Sequence, residues 1–494
     1  MTEPRDAASL ILINSDRKRL LWGHRNPELS FLGGFHSFTG GKLEEDDRKC
    51  DVRNEPDGEM RALKACAVRE TFEECGVLVV RNGDKLTKGQ FPLLHDDLVS
   101  GREKFSEILE HWGLWIDGRD LHYAGFWTTP EFSPVRFKTR FFLAECPDKL
   151  DPYAATEELG NFEFLEPSEA LRRWSRSKVL IAPPVSFPIR EMAETATEEI
   201  DIAATASALK EFSFKHSGHV DHIELNSHLI CIPLRTKTLP PATHTNCFIV
   251  GKKRYVVIDA ASREAEEQEK LFALIDDLQS AGGKCEAIII SHLHRDHFGG
   301  EVNLKRYLKD RYREEVPILA HDETIVAIGN ETEINGRLQE GDSYDLQDAN
   351  GTEFRLEVIH SPGHARGHLC FYDPEYGFLL TSDNVLSHGS VLINPPEGNM
   401  NDYLESLERL RDLTGLRFLC GSHGPAVYNA KDKIEEYIGH RLEREEQVRR
   451  ALESGLTTPE VIAPVIYDGL DPKLLPLAER SVAAHLERLQ SDKI

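Results

Sequence analysis

Ser291-His292-Leu293-His294-Arg295-Asp296-His297 follows directly on the apolar run Ala287-Ile288-Ile289-Ile290. Three imidazoles and a carboxylate in so short a space are costly to gather without a compensating charge, and a divalent metal supplies one. A strand leaving a buried sheet alternates its side chains, so His292 and His294 are expected to point the same way. The chain then turns, and Asp296 and His297 are expected to face a second position from the start of a helix over Asn303 to Tyr312. One short loop would offer two pairs of ligands to two adjacent metals. Imidazole with carboxylate suits zinc, with iron or manganese as neighbouring choices.

Further polar residues recur downstream, each where an apolar run stops. His360-Ser361-Pro362-Gly363-His364 follows the strand-like Phe354 to Ile359, and its Pro-Gly pair forces a tight turn before His364. Leu379-Leu380-Thr381-Ser382-Asp383 is a short apolar strand ending in a carboxylate. Phe418-Leu419-Cys420-Gly421-Ser422-His423-Gly424-Pro425 repeats the pattern with a histidine. Strand ends are where α/β folds place ligands.

On these motifs, residues 218–430 resemble the metallo-β-lactamase superfamily, which implies a four-layer αββα sandwich. The resemblance places His292, His294 and His364 at a first metal position and Asp296, His297 and His423 at a second. Asp383 matches the carboxylate that bridges the two. Asp259, closing the strand Tyr255-Val256-Val257-Ile258, matches an acidic residue that organises the site without ligating. The implied chemistry is hydrolysis of an ester, thioester or phosphodiester. Two cations lower the pKa of a shared water towards about 7, and the resulting hydroxide is the nucleophile. Asp296 could also orient that nucleophile. His360 and His368 read as supporting or structural residues, and His388, close after Asp383, is a candidate substrate contact.

The chain has 494 residues, which suits two or three domains. Asp and Glu outnumber Lys and Arg by 84 to 59, a formal charge of −25, so nothing in the composition attracts nucleic acid passively. Nine scattered cysteines without a CxxC pair read as reduced thiols of a cytosolic protein. Met1-Thr2-Glu3-Pro4-Arg5-Asp6 lacks a signal peptide's apolar core, and no apolar run approaches the ~20 residues of a membrane span. A cytoplasmic protein without a membrane partner is the expectation.

The first 195 residues carry a second chemistry. Ala8 to Asn14 and Arg19 to Trp22 read as strands around a Ser15-Asp16-Arg17-Lys18 turn. Ala62 to Cys75 reads as a helix with Gly76 as its stop. On it Glu70, Glu73 and Glu74 share an arc of about 100°. Three carboxylates on one face repel each other, and Mg²⁺ or Mn²⁺ would relieve them. An ordinary solvated acidic face gives the same spacing.

Arg69-Glu70-Thr71-Phe72-Glu73-Glu74-Cys75-Gly76-Val77 resembles the second half of the Nudix signature, with Thr71 where an apolar residue is usual. Phe38-Thr39-Gly40-Gly41-Lys42-Leu43 resembles its glycine-rich opening, and Asp47 stands where the motif usually has Glu. About fourteen extra residues, polar and loop-like, separate Asp47 from Arg69. Such an insert resembles the coenzyme A-type branch, as do Phe126-Trp127-Thr128-Thr129-Pro130, Arg136 to Phe142 and Ile181-Ala182-Pro183-Pro184. The resemblance implies an α/β/α sandwich cleaving a substituted nucleoside diphosphate, with Glu70, Glu73, Glu74 and the Gly40 carbonyl on Mg²⁺ or Mn²⁺. Arg69 is expected to hold the loop by an ion pair, Arg25 could meet a phosphate, and Glu157 or Glu158 could add a carboxylate. The alternative is an inactive Nudix fold that binds a nucleotide and controls a single hydrolase behind it.

Residues 196–217, overlapping the helix-like stretch Ala193 to Phe212, read as a helical linker. The tail, 431–494, reads as helices over Ile434 to Leu452, Val461 to Tyr467 and Leu474 to Leu489. Thr458 would cap the second, and the third would carry a stripe of Leu477, Val482, His485, Leu486 and Leu489. With Asp402-Tyr403-Leu404-Glu405-Ser406-Leu407 before it, this tail resembles the lactamase-beta-like branch that ends in a winged helix, some of whose members are endoribonucleases. The chain stops at Asp492-Lys493-Ile494, where the wing would begin, so the tail is expected to be winged-helix-like without a wing. Its ten Lys and Arg against thirteen Asp and Glu disfavour an RNA partner. A helical cap over the site or a homo-oligomer contact is the expected role. Both halves could act on acyl-coenzyme A, by analogy.

Overall fold

The computed structural model describes residues 3–29, 32–131, 133, 135–147, 152–153, 156–195 and 199–491. The chain divides into two compact units, Met1–Leu225 and Asn226–Ile494. Together they form a multidomain α/β and α+β protein.

In the first unit the strand Arg5–Ile13 lies at the centre of the sheet. It runs parallel to Phe137–Glu145 and antiparallel to Leu20–Arg25 and Thr39–Lys42. Its period-2 alternation fills two cores. Ala8, Leu10 and Leu12 meet Leu63, Ala67, Val68 and Phe72 of the helix Gly58–Cys75. Ile11 and Ile13 face Trp174, Ile189 and Leu209, from the helices Pro167–Ser175, Pro183–Thr195 and Ile202–Lys215. The result is the α/β/α sandwich.

Two sequence expectations change here. The insert is only partly a loop: Asp57 accepts from Met60 N–H and starts the acidic helix at Gly58, well before Ala62. The helix Ile202–Lys215 is not a free linker either. Its apolar stripe of Ile202, Ala206 and Leu209 is buried in the first unit's core, and Phe126 N–H donates to Ser213 Oγ at 3.2 Å. A Cβ on Gly125 would lie 2.1 Å from that oxygen, so helix and strand touch with no room between them. The first compact unit accordingly runs to Leu225, past residue 195, where the sequence reading ends the first domain, and takes in the 196–217 stretch read as a linker. Residues 196–198 lie outside the described residues.

The second unit is built on one long curled sheet. Antiparallel neighbours run from Leu229–Arg235 through His244–Val250, Arg254–Ile258, Ser343–Gln347, Glu353–His360 and Leu369–Asp373 to Phe378–Ser382, with Phe418–Gly421 added in parallel. Lys284–Ile289 and Ile318–Ala320 extend from Arg254–Ile258, also in parallel. One half packs Ile230, Ile249, Val257 and Ile288 against the helices Ala265–Ser280 and Glu301–Tyr312. The other packs Ile359, Cys370, Leu379 and Leu419 against Met400–Arg411 and Ala430–Glu453. The alternate residues Phe248, Val256, Ile289, Phe371, Phe378 and Phe418 are equally buried, so the two halves face each other. That is the αββα arrangement, and burial on both faces explains the near-continuous apolar runs.

The tail is helical, at Ala430–Glu453, Pro459–Ile466 and Leu475–Ser491. Val448, Ile462, Val482 and Leu486 form its own small core. Thr458 is the N-cap of the second helix by backbone position alone, without a side-chain cap bond. Leu477 is only half-buried, and Ala478 takes its interior place. The chain end 492–494, on which the expectation of a missing wing rests, lies outside the described residues. Among those residues no helix is long and apolar enough to cross a membrane.

Candidate metal centre

The expected ligands collect where strands end. Asp259 follows Ile258, Asp383 follows Ser382, and His423 comes just after Gly421. The local reason differs from the expected one at the histidine motif. The strand ends at Ile289 and the helix begins at Glu301, so His292 to His297 all sit in an irregular loop between them. A turn with His297 N–H donating to His294 O at 2.9 Å shapes that loop, not strand alternation.

Two groups of ligand atoms converge, each within 4.8 Å: His292, His294, His364 and Asp383, and then Asp296, His297 and His423. In the first, His294 Nδ1 lies 2.9 Å from both His292 Nε2 and His364 Nε2. The far nitrogens decide the tautomers. His364 Nδ1–H donates to Leu392 O at 2.9 Å. Ser291 Oγ gives its proton to Asp259 and so accepts from His292 Nδ1–H at 3.0 Å. His294 Nε2–H donates to Glu397 at 2.5 Å. Three lone pairs are thereby turned on one another, which is repulsive unless a cation lies among them.

In the second group His297 Nδ1–H donates to Asp259 Oδ2 at 2.8 Å and His423 Nδ1–H to His244 O at 2.8 Å. His297 Nε2 is then buried and without a hydrogen-bond partner. Asp383 stands between the groups, with Oδ2 3.5 Å from His297 Nε2 and 3.7 Å from His364 Nε2, and Oδ1 3.6 Å from His423 Nε2. Asp296 Oδ2 is 3.6 Å from His423 Nε2. The partnerless His297 Nε2, the inward-turned nitrogens and the N/O donor set fit a pair of divalent cations.

The electrostatics differ between the two groups. Burial and the neighbouring His297 and His294 rings hold His292 well below the ordinary histidine range. Burial with His294 beside it brings His364 down to about 4. Burial opposes charge on His297 too, yet Asp383, Asp296 and Asp259 carry it well above that range. Asp259 (φ 57°) and Ser382 (φ 43°) adopt left-handed backbone, a strain of about 1–3 kcal/mol each that clusters at functional sites.

Several supporting residues were not legible as ligands. His368 Nε2 accepts the Asp383 N–H at 3.2 Å. His360 faces away, stacked 4.1 Å from His321, with Nε2 on Arg366 O at 2.7 Å. His388 is exposed. Tyr403 Oη, from the helix Met400–Arg411, donates to Asn384 O at 2.6 Å, while Tyr437 Oη donates to Gly389 O at 2.9 Å and Arg441 to Val391 O, so that helix and the tail's first helix together brace the segment after Asp383. Sequence reading missed Glu397. Its one signal was a carboxylate inside the turn-rich Asn394-Pro395-Pro396-Glu397-Gly398.

The acidic helix of the first unit is arranged differently. Asp47 and Arg69 form a buried two-pronged pair, at 2.8 and 3.0 Å. The same guanidinium reaches Glu70 at 2.9 Å, Glu73 at 3.1 Å and Lys42 O at 3.0 Å. Arg69 therefore has no donor to spare for a substrate. Glu74 accepts from Gly40 N–H at 2.9 Å, and a Cβ on Gly41 would lie 2.4 Å from the Glu70 carboxyl, so Gly41 permits that approach, while a Cβ on Gly40 would lie 2.5 Å from Ala8 O of the neighbouring strand. Thr71 Oγ lies 2.7 Å from Thr39 Oγ, which explains a hydroxyl at an apolar position. Burial, and then Gly40, Glu70, Arg25 and Glu158 around it, set Glu74 at about 8. Glu70 rises to about 7, through burial above all. Among the described residues, the groups that converge within 4.8 Å do not include the Glu70, Glu73 and Glu74 set.

The profile of the Metallo-beta-lactamase superfamily matches residues 240–423, that of the NUDT19 Nudix domain residues 52–192, and that of the Beta-lactamase associated winged helix domain residues 458–494. Lactamase-like protein adaB of Aspergillus niger is 29% identical over 217 residues, 42% of this chain and 59% of that protein. Beta-lactamase-like protein 2 homolog of Caenorhabditis elegans is 28% identical over 218 residues, 42% of this chain and 65% of that protein. The chain thus spans under two thirds of the length of both. Atrochrysone carboxyl ACP thioesterase of Claviceps purpurea is 26% identical over 250 residues, 47% and 70% of the two chains. Among solved structures, a metallo-beta-lactamase family protein from Thermus thermophilus has 21% identity over 55% of this chain and 95% of its own, with a TM-score of 0.43. A NUDIX hydrolase from Alicyclobacillus acidocaldarius has 29% identity over 39% and 91%, with a TM-score of 0.34. One polypeptide thus joins a Nudix domain, a metallo-β-lactamase domain and a β-lactamase-associated winged-helix region.

Proposed function

We propose that the chain is a bifunctional metal-dependent hydrolase, with the second unit opening a thioester and the first cleaving a diphosphate. Acyl-coenzyme A is the substrate that carries both bonds. The observation that supports this most is the convergence of imidazole lone pairs in two adjacent groups joined by Asp383. His292, His294, His364 and Asp383 would hold one cation, and Asp296, His297, His423 and Asp383 the other, zinc suiting the donors best. Bound there, the cations would lower the pKa of water and polarise the scissile group. Asp259 and the Leu392 and His244 carbonyls keep the rings in their ligating tautomers, and Asp296 orients the attacking water. Hydrolysis of the thioester breaks C–S and yields a carboxylate and the free thiol.

In the first unit Glu70, Glu73 and Glu74, with the Gly40 carbonyl, would hold Mg²⁺ or Mn²⁺ beside Arg25 and Glu158. Water adds to one phosphorus of acyl-coenzyme A, giving acyl-phosphopantetheine and 3′,5′-ADP. The name of the Claviceps purpurea relative and the NUDT19 profile support the thioester and the coenzyme A-type reading. Nine cysteines outside any disulfide suit a reducing, cytoplasmic setting. Metal-replete protein incubated with an acyl-coenzyme A mixture, its products weighed by mass spectrometry, tests both halves. Acyl-phosphopantetheine with 3′,5′-ADP supports the front site and free coenzyme A the rear site. The absence of both products sinks the shared substrate.

A second reading has its own support. Arg69 already neutralises Glu70 and Glu73, which suits a Nudix fold that senses a nucleotide and controls one hydrolase behind it.

A further inference from the structure

We infer that Glu397 is a positioning residue of the metal centre: its carboxylate sets the tautomer of His294 and so creates the ligand atom His294 presents. The inference rests on reading the histidine cluster as a metal centre. His294 differs from its neighbours. His292, His297, His364 and His423 all turn Nε2 inward and give Nδ1–H to a nearby oxygen from their own surroundings. His294 alone turns Nδ1 inward, so its Nε2–H points outward and needs an acceptor from elsewhere. Glu397 supplies it at 2.5 Å, from far along the chain. With the tautomer reversed, Nδ1–H would point between His292 Nε2 and His364 Nε2 and close the position to a cation.

The loop carrying Glu397 is built to hold that reach. Asn399 N–H donates to Gly363 O at 2.8 Å, and Gly398 N–H to Asn394 O at 2.8 Å. A Cβ on Gly398 would lie 2.8 Å from Gly363 O, so the approach needs glycine. Arg366 donates from Nε and a terminal nitrogen to Pro396 O, at 3.2 and 3.0 Å. Asn399 then caps the helix Met400–Arg411 by accepting from Asn401 and Asp402 N–H. The turn that delivers His364 and the loop that delivers Glu397 are therefore one tied unit. Glu397 is half-buried, with 31% of its side chain exposed, so the charge is retained at little desolvation cost.

The test uses full-length wild type, Glu397→Gln, Glu397→Asp and Glu397→Ala. Each is stripped of metal and titrated with Zn²⁺ against a chromophoric chelator, with unfolding temperatures recorded alongside. Wild type should bind two cations per chain. In Glu397→Ala one of the two should weaken by about 10–100-fold, the range for losing an acceptor behind a ligating histidine. Glu397→Gln keeps an oxygen that accepts Nε2–H and should retain most of the affinity, whereas Glu397→Asp falls short of the ring and should behave like Ala. Should Glu397→Ala fail to fold, the Gln and Asp pair gives the same contrast. Unchanged Zn²⁺ affinity in the Ala and Asp variants overturns the inference alone, as does a Gln variant as weak as Asp with a matching fall in unfolding temperature. A wild type that binds no cation overturns the metal-centre reading and this inference with it.

Discussion

In the second unit the rings around the candidate centre have their far nitrogens tied to oxygen acceptors, so their other nitrogens turn inward towards one another. In the first unit Arg69 lies among the acids and meets Asp47, Glu70 and Glu73 at once. One cluster turns its donor atoms towards a common point; the other already carries a counterion of its own. A set of ligands is therefore distinguished from a salt-bridge network by where its partners stand, outside the group or within it. The same acidic residues on a helix are compatible with either role until those partners are placed.

The largest effect should come from breaking the inward set. His364→Ala removes one of three rings around the first position and should lower thioester hydrolysis by on the order of 10³-fold or more, read as free coenzyme A released. Glu74→Gln sharpens the contrast between the units. If the front site is catalytic, 3′,5′-ADP formation should drop by about 10²–10⁴-fold while thioester hydrolysis is unchanged. A sensor would instead leave both rates intact and alter only control by nucleotide. Asp47→Ala strips the buried Arg69 of its two-pronged partner and should destabilise the protein by about 3–5 kcal/mol in urea unfolding. A change near zero would mean Glu70 and Glu73 suffice to hold that charge.

Asp259→Asn targets the far-nitrogen rule itself. Asp259 accepts from Ser291 N–H and Oγ–H and from His297 Nδ1–H, more than an amide can accept in the same pose. Zn²⁺ affinity at the Asp296, His297 and His423 group should fall by about 10–100-fold in chelator competition. The smallest effect is on pH. Burial, helped by His24 and Arg173, lowers His36 from 6.5 to about 3. This ring stays neutral when folded and takes up a proton when unfolded. Its contribution is complete above pH 6.5 and is lost as pH falls from there towards 3. His36→Gln should flatten the stability profile across that window; identical profiles would contradict the shift.

The candidate metal motifs were legible because each follows an apolar run, and a run that stops near a carboxylate or histidine is visible without a structure. Asp259 and Asp383 sit where that logic puts them. The histidine loop reached the same end by another route: His292 and His294 converge through a turn past the strand, which no alternation rule describes. The Ile202–Lys215 helix is visible in the sequence as a helix but not as a core element, because an apolar stripe announces burial without saying against what.

The sequence alone determined the candidate ligand types, their order, the strand ends that carry them and the acidic helix, because these depend on short-range patterns of polarity and turn residues. The tertiary structure alone decided the tautomers and the counterions. Glu397 reaches His294 across a long stretch of chain, and Arg69 meets its acids within a few ångströms. Which nitrogen carries a proton, and whether a carboxylate is already neutralised, depends on atoms brought together by packing and on nothing encoded locally.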